Sequence, residues 1–84
     1  MYKVIHTESL ENADEMTAKS WEYTDKADAF GQFSSLVNQV LSEVLENPIL
    51  NCKASIHYNK AVIKIEGVHH CIAVVDDKNS IVKM

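Results

Sequence analysis

The 84-residue sequence predicts an α+β domain with element order β-β-α-β-β-β, an antiparallel sheet of four to five strands carrying one long helix on one face. Three observations predict it. A single stretch, Thr24 to Pro48, keeps apolar residues at the three-and-four spacing of one helical face. The segment from Leu50 to Tyr58 alternates apolar with polar residues, as a half-buried strand does. Two turn-compatible breaks, Asn59-Lys60 and Gly67-Val68, divide the second half of the chain into hairpin lengths.

Residues 2–7 mix β-branched and aromatic with polar residues and form the first strand. Its inward face is ambiguous: Tyr2, Val4 and His6 share one side, Ile5 the other with Lys3 and Thr7. Glu8, Glu11, Asp14 and Glu15, with Asn12 between them, then form a solvated hairpin loop. Their spacing is not that of a calcium loop, and the glycine such a loop needs is missing. Residues 16–23 alternate again, with Thr17, Lys19, Trp21 and Tyr23 on one side, and form a second strand. Trp21 and Tyr23, just ahead of the helix, are assigned to core packing.

The helix stripe comprises Ala27, Phe30, Phe33, Val37, Val40, Leu41 and Val44, widened by Leu36 and Leu45. Its breadth suits a sheet better than the narrow seam of a coiled coil. Thr24 or Asp25 can accept from the first free backbone N–H groups, and Asn47-Pro48 ends the ladder. Gly31 costs about 1 kcal/mol relative to alanine. It marks either a simple weak point or a close backbone approach.

In the second half, burial of Leu50, Cys52, Ala54, Ile56 and Tyr58 on one face implies pairing of Tyr58 with Ala61, Ile56 with Ile63 and Ala54 with Ile65. Lys53 then stands opposite Glu66. A turn at Gly67-Val68 pairs Ile65 with His70, Ile63 with Ile72 and Ala61 with Val74. Asp76 to Met84 contains a polar loop and then Ile81-Val82, either a short edge strand or a tail.

One domain, residues 1–84, accounts for the whole chain, since so short a sequence has room for a single core. Residues 1–47 hold nine acids against three lysines, and residues 48–84 hold five lysines against three acids. All eight basic residues are lysines. Without arginine, and with a net charge of −4, the chain lacks the footprint of a nucleic-acid binder. It has no apolar run of the roughly 20 residues that cross a bilayer, and Met1 to Leu10 lacks the apolar core of a signal peptide. A cytoplasmic protein without membrane contact is expected.

His69-His70-Cys71, with Cys52 and His57, is the cluster that invites a metal or nucleophile. The alternation of a strand argues against both. His70 and Cys52 fall on the helix side and His57, His69 and Cys71 on the other, and no zinc-type spacing occurs. The same separation makes both cysteines free thiols. His69 and Cys71 share a face but lie about 7 Å apart along the strand, long for a nucleophile and its base. No phosphate loop, serine elbow or nucleotide fingerprint appears, so no cofactor and no enzymatic activity are expected.

The face away from the helix carries Val62, Cys71, Ala73 and Val75 among His57, Lys53, Lys64, Glu66 and His69, more apolar positions than a fully solvated face needs. The expected function is therefore a non-enzymatic protein-binding module that occupies a protein partner, with homodimerisation open to it. Its partner-binding residues are Glu8, Glu11, Asp14, Glu15, His57, Val62, Lys64, His69, Cys71 and Ala73. In size and composition alone the chain is similar to small accessory or inhibitor proteins of phages and mobile elements. The alternative is a small-ligand binder with a pocket at an oligomer interface, lined by residues such as His57, His69 and Tyr58.

Overall fold

The computed structural model describes residues 1–10, 16–46, 51–78 and 80–82. Five strands, β1 (Tyr2–Leu10), β2 (Met16–Tyr23), β3 (Cys52–Ile56), β4 (Lys60–Ile65) and β5 (Val68–Val75), and one helix, α1 (Lys26–Glu46), occur in the predicted element order. The strands form one sheet in the order β2-β1-β5-β4-β3, with every pairing antiparallel. α1 packs mainly over β1 and β5, reaching β2 and β4.

The centre of the sheet is the pairing of β1 with β5, from Lys3 opposite Val75 to Leu10 opposite Val68. It resolves the ambiguity of the first strand. Val4 stands opposite both Trp21 and Val74 and is fully buried, so Tyr2, Val4 and His6 look toward the helix and Ile5 looks away. Trp21 and Tyr23 pack against the core from β2, as their place ahead of the helix implies. β1 runs on to Leu10, past the expected end at Thr7, because β2 continues to pair with it as far as Ser9 opposite Met16. Glu8 is thus a strand residue rather than part of a loop; Glu11, Asp14 and Glu15 lie outside the described residues.

α1 is capped by Asp25, whose Oδ1 accepts from the Ala27 N–H at 2.8 Å. Its buried line is Ala29, Phe33, Leu36, Val37 and Val40, flanked by Phe30, Leu41 and Val44. The stripe is rotated from the one expected. Ala27 is exposed and Leu45 is 83 % exposed, whereas Ala29, outside the expected stripe, is fully buried; Leu36, expected at its flank, is in the core. A Cβ built on Gly31 meets nothing within 4 Å, so no close approach requires this glycine and its cost is entropic.

The second-half hairpins keep their predicted faces but slip by two residues. Glu66 and Gly67 form the β4–β5 turn, both with positive φ (46° and 82°), the twist that suits a two-residue hairpin. Ile65 therefore pairs with Val68, Ile63 with His70 and Ala61 with Ile72, in place of the pairings expected from a Gly67-Val68 turn. On the other side Ile56 pairs with Ala61 and Ala54 with Ile63. Lys53 consequently faces Lys64, while Glu66 turns its carboxylate to the Asn51 N–H at 2.9 Å. Tyr58 lies in the β3–β4 turn, and Leu50 lies outside the described residues. Asn59 has no positive φ; its role is to donate from Nδ2 to the Val82 carbonyl at 2.7 Å.

That bond anchors the C-terminal segment. Val82 N–H donates to Val74 O at 2.9 Å, Ile81 bridges Val75, and Val82 is buried in the core. Neither alternative is formed in full: the segment is held to the end of β5 by a single bridge, without an additional strand among the described residues. It also buries Val75, which strand alternation assigns to the open face.

Two glycine substitutions separate these roles. Gly31→Ala should stabilise the protein by about 0.5–1 kcal/mol, since a helical position with open space gains propensity. Gly67→Ala should destabilise it by about 1–2 kcal/mol, because an L side chain resists this φ. Urea denaturation of both variants measures the two signs.

Candidate functional site

The side of the sheet away from α1 carries no second layer among the described residues, and strand alternation writes its residues in rows. One row runs Ser20, Ile5, Ala73, Lys60; the next Ala18, Thr7, Cys71, Val62, Ser55; the third Met16, Ser9, His69, Lys64, Lys53. Five of the predicted partner-binding residues, Val62, Lys64, His69, Cys71 and Ala73, come together here. Val62 is 41 % exposed, and Cys71, Ala73, His69 and Lys64 are half-buried by their neighbours in the sheet. Thr7 Oγ1 donates to Cys71 O at 3.4 Å and ties the central row to β1.

Glu8 does not join this face. It sits on the helix side of β1, opposite His70 and Thr17. His57 is exposed just beyond β3, its Nε2 3.5 Å from Oγ of the outer-face Ser55. It therefore occupies the margin of the face rather than its centre.

The electrostatics of the face depend on the pairing of strands distant in sequence. Lys3, Lys53, Lys60 and Lys64 all project from its strands; Glu22 lies 3.8 Å from Lys3, and Glu66, in the β4–β5 turn, borders the same concavity as Lys53 and Lys64. Lys53 and Lys64 are directly opposed, an arrangement that weakens the β3–β4 pairing in isolation. A chain that is acidic overall thus has a basic sheet face.

On the helix side the structure brings together two residues far apart in the chain, a contact for which strand alternation gives no signal. His6 Nε2 lies 3.0 Å from His70 Nδ1, with ring centroids 5.3 Å apart. One ring must donate and the other accept, so the bond needs at least one neutral imidazole. Burial holds His6 below the ordinary histidine pKa; His70 and Lys19 act in the same direction, and Glu8 opposes them. The buried line of α1 above the sheet is wholly apolar.

A concavity lies between α1 and β3. Phe33 and Val37 form one wall, Ile56, His57 and Tyr58 the other, around about 440 Å³, and Phe30 stacks on Tyr58 with centroids 6.4 Å apart. Ile56 and Tyr58 are 46 % and 49 % exposed because the helix leaves β3 at its margin. Ala54 is exposed for the same reason, so β3 is not the half-buried strand its alternation predicts. Of the residues expected to line a pocket at an oligomer interface, His57 and Tyr58 border this groove and His69 is on the outer face of the same chain.

Both cysteines are free thiols, Cys52 on the helix side and Cys71 on the outer face. Among the described residues, no three histidine, cysteine or acidic side chains converge as a metal site would require. No helix among the described residues is long and apolar enough to cross a membrane.

The histidine pair generates a pH prediction. A histidine whose folded pKa lies below its unfolded value contributes stability present above that unfolded value, about 6.5, and lost as pH falls through the folded one. His6→Gln removes the titration, so the wild-type advantage should shrink as pH falls from about 7 to about 5. Paired urea curves at the two pH values test this.

Comparison with protein-family models, curated proteins and solved structures found no match for this chain.

Proposed function

We propose that the chain is a small non-enzymatic protein-binding module of the inhibitor or accessory type, which acts by occupying a protein partner through the outer face of its sheet. One observation carries this reading: Val62, Lys64, His69, Cys71 and Ala73 share a face that no described element covers, and that mixes an apolar centre with a lysine-rich margin. An apolar centre excludes water while charged groups around it set orientation and partner choice, the usual division of an interface. The lysines favour a partner surface of acidic character. Phage or mobile-element origin rests on size and composition alone, and homodimerisation is part of the same reading.

The 440 Å³ groove between α1 and β3 favours a second reading, a small-ligand binder, since its volume falls within the range of ligand sites. Native mass spectrometry of protein taken from its own host separates the two. A co-purifying metabolite supports the second reading, and a bare chain counts against it.

For the first reading, Val62→Asp combined with Ala73→Asp should weaken partner capture by at least about tenfold, because the two carboxylates put strongly hydrated groups into the apolar centre and repel an acidic partner. Glu8→Lys, on the opposite side, should leave capture unchanged. Quantitative pulldown with thermal melts as a fold control makes the measurement. Full binding by the Val62/Ala73 variant would remove the outer face from consideration.

A further inference from the structure

We infer that the chain forms a two-fold dimer by antiparallel pairing of β3 with β3 of a second copy, centred on Ala54. The inference rests on the homodimer part of the proposed function and is independent of what the outer face binds.

β3 is an edge strand, and two hydrogen bonds fix the direction of its free backbone groups. Asn51 O accepts from Glu66 N at 3.1 Å, and His57 N donates to Lys60 O at 2.8 Å. In an antiparallel ladder, residues alternate between bonding one neighbour and the other. The odd-numbered residues Asn51, Lys53, Ser55 and His57 therefore address β4. Cys52, Ala54 and Ile56 aim both N–H and C=O away from the sheet, where no partner lies among the described residues.

These three positions are symmetric about Ala54. A second copy laid antiparallel puts Ala54 opposite Ala54 and Cys52 opposite Ile56, so that every outward group of the three residues is paired. Charge selects the same register. With Ala54 at the centre, Lys53 stands opposite Ser55 of the second copy. A two-residue slip one way would set Lys53 against Lys53, a directly opposed like-charge pair. A slip the other way leaves the outward groups of Cys52 unpaired.

The other edge is less suited. β2 exposes Thr17, Lys19, Ser20 and Glu22, a largely polar edge with a lysine mid-strand, as edges protected against pairing have. β3 instead turns Cys52, Ala54 and the 46 % exposed Ile56 toward the helix side, where α1 stops short of it.

The axis is perpendicular to the sheet, so both outer faces lie on one side of a continuous ten-stranded sheet. From strand spacing and rise, one five-stranded face projects about 500 Å². That is below the roughly 800 Å² per partner of a standard interface, and the joined faces exceed it. Dimerisation thus supplies the docking area that one copy lacks.

Light scattering on the eluting wild-type protein should give twice the chain mass. Ala54→Pro should give the single mass with an unchanged circular dichroism spectrum, because the lost N–H faces away from β4. A mixture of Lys53→Cys and Ser55→Cys chains should form a disulfide between the two substituted positions, mapped by mass spectrometry, since a non-hydrogen-bonded pair lies about 4.5 Å apart at Cα. Val62→Asp with Ala73→Asp should remain dimeric, so a failure of the outer face to bind is distinguishable from a failure to dimerise. A monomeric wild type, or a dimer that tolerates Ala54→Pro, overturns the inference. If Ala54→Pro unfolds the chain, the cross-link decides: a dimer without that disulfide overturns it.

Discussion

The pairing of the first strand with the last holds this structure together. β1 and β5 lie side by side within the sheet, and their ladder runs from Lys3 opposite Val75 to Leu10 opposite Val68. It fuses two local hairpins, β1–β2 and β4–β5 with β3 attached, into one sheet. Val4, Ile72 and Val74, all fully buried, lie along this seam, and α1 packs mainly over it. Without the seam each hairpin would present an apolar face too narrow to cover a helix of 21 residues. The ion pair between the N-terminal ammonium and Asp77 spans the same two ends of the chain, but it is exposed and contributes little beside that burial.

Because the helix sits over the seam, it covers the sheet unevenly. Ile63, Ile72 and Ala61 are fully buried, whereas Ala54 and Ile56, on the same side of the sheet, are exposed. The transition occurs between neighbouring strands. It is this offset that opens the groove between α1 and β3 and frees the β3 edge, so the packing that stabilises the centre also creates the unfilled features at the margin. The opposite side of the sheet is uncovered by any described element, and its half-buried residues owe their burial to neighbouring strands.

The acidic chain and its basic sheet face are two results of one arrangement. Strand alternation sends Lys3, Lys53, Lys60 and Lys64 to the side away from the helix, while Asp25, Asp28, Glu43 and Glu46 belong to the helix layer or its cap. Lys53 and Lys64 stand opposed across β3 and β4, so both lysines face the same region of an incoming partner. On the helix side, the contact of His6 with His70 places a polar bond at the edge of an apolar layer, where burial rather than a counter-charge governs the protonation of His6.

The sequence by itself determined the element order, the place of the helix cap at Thr24 or Asp25, and the side of the sheet on which each strand residue of the second half lies. Parity survives even where register does not: both hairpins slip by two residues, which leaves every side chain on its face because the strand period is two. That is why Val62, Lys64, His69, Cys71 and Ala73 are grouped by alternation alone while the partner of Lys53 is not found by it. The β4–β5 turn escapes sequence reasoning because a positive φ at Glu66 is uncommon for a residue with a side chain, and local sequence favours glycine first. Only the tertiary structure decided the β1–β5 pairing, and with it the face of the first strand, the meeting of His6 with His70, the exclusion of Glu8 from the outer face and the exposure of β3. Those depend on contacts between distant parts of the chain, 64 positions apart for His6 and His70, and on where the helix comes to rest; neither leaves a periodic trace in the sequence.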